Sequence, residues 1–153
     1  IITWFGSATC LLSLTLLLFI TIKNKKTSLL IGINLVTITI LNQLLKFVLQ
    51  RPRPTEFKII NETGYSFPSG HSMISMAFYG FLIYLIAKSK FNTYTKVIYI
   101  FLLSTIILLV GISRIYLGVH YASDIIGGYL TSIIYMLIYV FSVDKIKKKA
   151  KTV

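Results

Sequence analysis

Two histidines are all that this chain of 153 residues contains, and both stand beside residue types that handle phosphate. His120 lies four residues before Asp124, a spacing that puts both side chains on one face if the turn is helical. A carboxylate bonded to one ring nitrogen fixes the imidazole tautomer and leaves the other nitrogen free to attack an electrophile. Six residues before His120, Arg114 offers a planar guanidinium fork matched to phosphate oxygens. His71 ends the run Pro68-Ser69-Gly70-His71, where Ser69 suits a helix N-cap and Gly70 lets a ligand approach the backbone. Free N–H groups at a helix start make an anion site, and His71 adds a titratable group beside it. The third cluster joins Lys46 to Arg53. Pro52 and Pro54 stop the helix soon after Lys46, so the two cations can meet above its end.

Each cluster alone has a plain explanation. Lys46 and Arg53 would serve as interfacial cations reaching for head groups. The Ser69 run would serve as an ordinary cap, and His120 with Asp124 as a surface pair of little energetic weight. Together the plain explanations fail, because both histidines and two of the three arginines fall in these clusters. Lys46, Arg53, Arg114 and the helix start at Ser69 suit phosphate, beside two imidazoles and an acid. The chemistry this set serves is phosphoryl transfer to an imidazole. Two histidines and one carboxylate already have other roles, so neither a metal ion nor a cofactor is expected.

The elements that position these residues read as membrane helices. The chain is 56% apolar and 13% charged, with a mean hydropathy of +0.81, too apolar for a surface facing water on all sides. Five uncharged stretches, at residues 1–22, 27–45, 72–87, 97–113 and 125–143, approach the roughly 20 residues that cross a bilayer. The fold class expected is all-α, a polytopic transmembrane bundle forming one domain over residues 1–153. Cys10 lies in an apolar run and has no partner for an internal disulfide. Asn34, Asn42 and Gln43 in the second stretch suggest interhelical hydrogen bonds or, in a transporter, a polar path.

The formal charge of +12 belongs to the connections. Residues 23–26, 88–96 and 144–153 hold eleven lysines and one acid, while 46–71 and 114–124 hold five cations and three acids. That pattern is membrane topology and not a nucleic-acid surface: the first set is cytoplasmic and the second lies outside, with all three clusters. The run from Lys145 to Lys149 reads as a tail against anionic membrane lipids. Ile1 falls outside on this topology, and the expectation is that one further span precedes it. The Lys-, Ile- and Asn-rich composition fits an AT-rich bacterial genome.

The order Lys46-x6-Arg53-Pro54, then Pro68-Ser69-Gly70-His71, then Ser113-Arg114-x5-His120-x3-Asp124 resembles the type 2 phosphatidic acid phosphatase family. The resemblance implies His120 as nucleophile, oriented by Asp124, and His71 as the acid that protonates the leaving oxygen. It implies that Lys46, Arg53, Ser69, Gly70 and Arg114 hold the phosphate and its transition-state charge, without a metal. Such proteins usually have six spans, and the one not seen here would be the first. The implied substrate is a lipid phosphate or diphosphate: phosphatidylglycerol phosphate, undecaprenyl diphosphate or phosphatidic acid. The alternative is a catalytically silent lipid-binding or lipid-transporting relative, which loss of His71, His120 or Asp124 would favour. All three are present.

The charge asymmetry places the two ends of this chain on opposite sides of the membrane. A cysteine engineered at Ile2 should react with an impermeant maleimide on intact cells, and one at Thr152 only after permeabilisation. Equal labelling of the two would refute the topology.

Overall fold

The computed structural model describes residues 1–152, with side chains through Lys148. The side chain of Lys149 in the basic tail, and Val153, lie outside the described residues. A 3₁₀ turn (Ile2–Gly6) leads into α1 (Ala8–Thr21), α2 (Lys25–Leu49), α3 (Gly70–Ala87), α4 (Thr93–Tyr116) and α5 (Ala122–Thr152). No strand occurs among the described residues.

Helix starts follow the capping residues in the sequence. Ser7, Asn24, Ser69 and Asn92 cap α1 to α4, each side chain accepting from the backbone N–H three residues on. At the other end of α2, Gln50 takes a left-handed conformation and Pro52 follows, so the chain leaves the helix for a long connection over residues 50–69.

Four helices, α2 to α5, are long and apolar enough to cross a membrane. They match the second to fifth uncharged stretches. The first stretch departs from expectation, because residues 1–22 do not form one spanning helix. Ser7 starts α1 afresh, leaving 14 residues, about 21 Å at 1.5 Å per residue. The reason is packing. The opening turn lies across the bundle end against α3 and α4, with Gly6 beside Val110 and His71 and the Tyr79 hydroxyl donating to the Phe5 carbonyl at 2.7 Å.

Helix α3 is the hub, packed on α2, α4 and α5. Met73, Ala77, Phe78 and Phe81 along it are wholly buried. The outer faces of the other helices expose Leu16, Ile40, Phe101, Leu108, Ile134 and Leu137, among others. Helices apolar on both faces suit a lipid solvent. The protein is a multi-pass membrane protein.

Polar side chains inside the bundle bind neighbouring backbones. Asn34 Nδ2 donates to Ala77 O at 3.0 Å, Asn42 Nδ2 to Pro68 O at 3.4 Å, and Ser132 Oγ to Met73 O at 2.7 Å. The Asn34 amide is therefore an interhelical tie. Asn42 joins α2 to the connection and, at 3.3 Å, to Met73 Sδ on α3, and both Asn42 and Gln43 line a cavity. Helices α4 and α5 approach closely at Gly111, where the Tyr129 hydroxyl passes on its way to Ile107 O at 2.6 Å. A methyl group there would stand 2.1 Å from that hydroxyl and 2.8 Å from Ile125 Cγ2. Gly111→Ala should therefore lower stability by about 1–3 kcal/mol through overpacking, read as an earlier loss of the monodisperse peak on heating in detergent. An unchanged midpoint would show that the contact yields freely.

Candidate active site

Three pieces of chain meet at one end of the bundle: the 50–69 connection, the start of α3, and the turn between α4 and α5. Gly118 takes φ +70 in that turn, against the Phe57 carbonyl, where a side chain would collide at 2.2 Å. The turn delivers His120, 4% exposed, to the first turn of α5 and Asp124.

Asp124 is fully buried, and a buried carboxylate is tolerated only when its lone pairs are used. They are. Arg51 donates to Oδ1 at 2.8 Å, and Oδ2 accepts from Ser66 Oγ at 2.5 Å and from the Tyr121 N–H at 2.9 Å. Arg51 is braced in turn over the Tyr121 ring, at 4.3 Å. His120 Nδ1 faces the same carboxylate at 3.4 Å and Ser66 Oγ at 3.3 Å. Since Ser66 gives its proton to Asp124, Nδ1 carries the hydrogen and Nε2 keeps a lone pair. Arg53 donates to that Nε2 at 3.2 Å. The unprotonated nitrogen therefore points toward the cations.

Arg53 is held by three backbone carbonyls as well: Val119 at 3.1 Å, Gly64 at 3.0 Å and Thr63 at 3.0 Å. Lys46, in the last turn of α2, reaches the carbonyls of Tyr65 at 2.5 Å and Ser66 at 3.4 Å. Arg114 is 1% exposed; it donates to Glu62 Oε1 at 2.5 Å and to Thr3 Oγ1 at 2.9 Å, and its Nε has no protein partner. Burial, aided by the positive charges of Arg53, Lys46 and Arg114, lowers the His120 pKa to about 4 against the opposing pull of Asp124. Burial alone would raise the Glu62 carboxyl, but the Arg114 hydrogen bond and the charges of Arg114, His71 and Arg53 hold it below its usual value.

A cavity of about 710 Å³ opens here, lined at its polar end by Lys46, Arg53, Glu62, Gly70, His71 and His120. It continues between α1 and α2 past Leu11, Leu12, Leu35, Val36 and Ile40. Of the residues singled out in the sequence, these five (Lys46, Arg53, Gly70, His71 and His120) share the wall. Asp124 stands behind His120, and Arg114 behind Glu62. Ser69 is the exception. Its hydroxyl is buried and turned to Ser72, as the N-cap of α3 at 3.4 Å from the Ser72 N–H, away from the cavity. Among the described residues no group of three His, Cys, Asp or Glu could hold a metal ion.

Residues 26–148 match the family model described as PAP2 superfamily. The chain belongs to the PAP2 superfamily. Phosphatidylglycerophosphatase B of Bacillus subtilis is 38% identical over 112 residues, 71% of this chain and 54% of that protein. Undecaprenyl-diphosphatase of Sulfolobus acidocaldarius is 30% identical over 144 residues, 88% of this chain and 65% of that protein. The chain thus spans between half and two thirds of the length of these curated relatives. The crystal structure of a transmembrane PAP2-type phosphatidylglycerolphosphate phosphatase from Bacillus subtilis is similar at TM-score 0.85 and 33% identity, over 95% of this chain and 74% of that one. That of Aquifex aeolicus LpxE is similar at TM-score 0.72 and 26% identity, over 91% and 81%.

In this PAP2 chain, sequence reasoning missed four residues of the site: Thr3, Arg51, Glu62 and Ser66. Arg51 carried a signal, standing two residues before Arg53 in Arg51-Pro52-Arg53-Pro54. Glu62 and Ser66 lie in a connection with no helical period to place them, and Thr3 lies in a stretch that reads as part of a span.

The buried imidazole gives a pH test. The unfolded chain protonates near pH 6.5, whereas folded His120 resists until about 4, so its burial costs stability as pH falls through that window. Glu62, with its depressed pKa, acts in the same sense, stability falling as pH falls, but only below its ordinary value of 4.5. Between pH 7 and 5 the melting midpoint in detergent should therefore fall more steeply for the wild type than for His120→Asn. Parallel slopes would mean that His120 is not held neutral by the fold.

Proposed function

We propose that this chain is a membrane phosphatase that hydrolyses a lipid phosphate or diphosphate through a phosphohistidine and without a metal ion. The observation that carries the reading is the cavity. Its polar end holds two imidazoles beside two cations, Lys46 and Arg53, and its other limb is apolar and open sideways, with Leu12, Val36 and Ile40 all more than half exposed. A soluble sugar phosphate has no use for such a limb, whereas a lipid places its phosphate at the cations and its tail along α1 and α2. The names of the relatives point to phosphatidylglycerol phosphate and undecaprenyl diphosphate as substrates of this chemical class.

In this reading His120 Nε2 attacks phosphorus and the P–O bond to the lipid breaks. His71, on the same cavity wall, gives its proton to the departing oxygen. Phosphorylated His120 keeps its Nδ1–H, and the positive charge that develops on the ring faces Asp124. Water then attacks phosphorus, His71 takes its proton, and the P–N bond breaks to release inorganic phosphate. Lys46, Arg53 and Arg114 offset the charge on the equatorial oxygens, with the N–H groups at Gly70 and the α3 start beside them. Arg114 Nε has no protein partner and lies behind Glu62, off the cavity wall.

The two histidines are separable by leaving group, measured as phosphate release in detergent containing EDTA. His120→Asn should abolish turnover and the covalent phosphoenzyme on every substrate. His71→Asn should lose about 10²–10⁴-fold on an alkyl phosphate and clearly less on nitrophenyl phosphate, whose anion leaves without a proton. Equal loss on both substrates for His71→Asn, with partial activity kept by His120→Asn, would reverse the roles. Activity that needed added magnesium would remove the metal-free mechanism.

A further inference from the structure

The site contains an anion of its own. Glu62 is the only acid on the cavity wall among the described residues, and it stands where phosphate is expected. Its Oε1 takes the Arg114 NH2 donor at 2.5 Å, and its Oε2 lies 3.7 Å from Arg53 NH2. Arg114 itself does not reach the cavity wall, because this carboxylate covers it. Arg53 meanwhile holds the carbonyls of the next two residues, Thr63 and Gly64, and places a further N–H on His120 Nε2. The cations and the reactive nitrogen are thus all engaged by protein groups. The Glu62 side chain is nevertheless 30% exposed, and a Cβ placed on the nearby Gly64, at φ +74, would meet nothing within 4 Å.

We propose that Glu62 is a tethered counter-anion that occupies the phosphate subsite between substrates and makes the site selective for doubly charged terminal phosphates over phosphodiesters. This rests on the reading of the site as a phosphatase. A bilayer surface presents a vast excess of phosphodiester head groups, each with one negative charge. A carboxylate also has one, and being tethered it competes at a high effective concentration, millimolar or above. A diester therefore has no charge advantage by which to displace Glu62. A monoester or terminal phosphate carries about −1.5 to −2 at neutral pH and does. The added Coulomb attraction acts on partly buried guanidinium groups, where screening is weak. Without Glu62 the site would be open to the lipids that surround it.

The test is equilibrium binding by calorimetry in detergent, using inorganic phosphate and dimethyl phosphate as probes of the two charge classes. Wild type should prefer inorganic phosphate strongly. Glu62→Gln, isosteric and uncharged, should shrink that preference at least tenfold, chiefly by gaining affinity for dimethyl phosphate. Glu62→Ala should do the same, which guards against one variant folding poorly; elution volume checks both. In nanodiscs, nitrophenyl phosphate turnover by Glu62→Gln should become sensitive to phosphatidylglycerol at contents that leave wild type unaffected. An unchanged binding preference in both variants, or loss of both probes, would overturn the proposal. A preference that shrinks as expected in a protein that turns over no monoester would leave Glu62 its role and remove the phosphatase reading. Normal turnover with an unchanged preference would do the reverse.

Discussion

A carboxylate without solvent has to be neutralised by its neighbours, and the polar end of this bundle is arranged around one such group. Asp124 is fully buried at the start of α5. Its oxygens draw in Arg51 from the end of α2, Ser66 from the long connection and His120 from the turn before α5. Its backbone carbonyl accepts from the Ser69 N–H, which ties down the N-cap of α3. One charge thereby fixes four pieces of chain relative to one another. Removing any partner would leave charge uncompensated in a medium where that is expensive. The same network fixes the His120 tautomer, so the arrangement that stabilises the fold also sets which nitrogen faces the cavity.

The cations obey a different constraint. Lys46, Arg53 and Arg114 gather at one end of a bundle whose other surfaces face lipid, and like charges repel most strongly where water is scarce. The fold offsets this with carbonyl oxygens from the 50–69 connection and with Glu62. Those are weak, displaceable partners compared with a phosphate. Lys46 and Arg114 stand on α2 and α4, whereas the oxygens that face them come from the connection. The hub helix α3, buried along its length, supplies the rigid platform, and the exposed connection supplies the adaptable side.

The hydrophobic design is that of a membrane protein throughout. Core residues cluster on α3, while α2, α4 and α5 remain apolar outward, so the sign of the usual solvent rule is reversed over most of the surface. Packing between helices then relies on close approach and on hydrogen bonds, as at Gly111 with Tyr129 and at Asn34 with Ala77. The cleft between α1 and α2 is where that packing is left incomplete. It joins lipid to the polar site, which a sealed bundle would separate.

Much of this was legible in the chain. Long uncharged runs fixed α2 to α5, because a helix is the one structure that satisfies its own backbone in lipid. The motif spacings picked out His71, His120, Asp124, Lys46, Arg53 and Arg114, since charged and titratable residues beside apolar runs have few other reasons to be there. Only the tertiary structure decided the rest. The opening apolar run looked like a span, yet it breaks at Ser7 because Thr3 and Gly6 pack over the site, and no local period encodes such a contact. Ser69 suited an N-cap and, by resemblance, a phosphate contact; its hydroxyl serves the cap, and two hydrogen-bonding uses of one hydroxyl are indistinguishable in sequence. Arg51, Glu62 and Ser66 acquire their places from partners up to 73 residues away along the chain. Periodicity reports on neighbours along a helix; a buried charge chooses its partners through space.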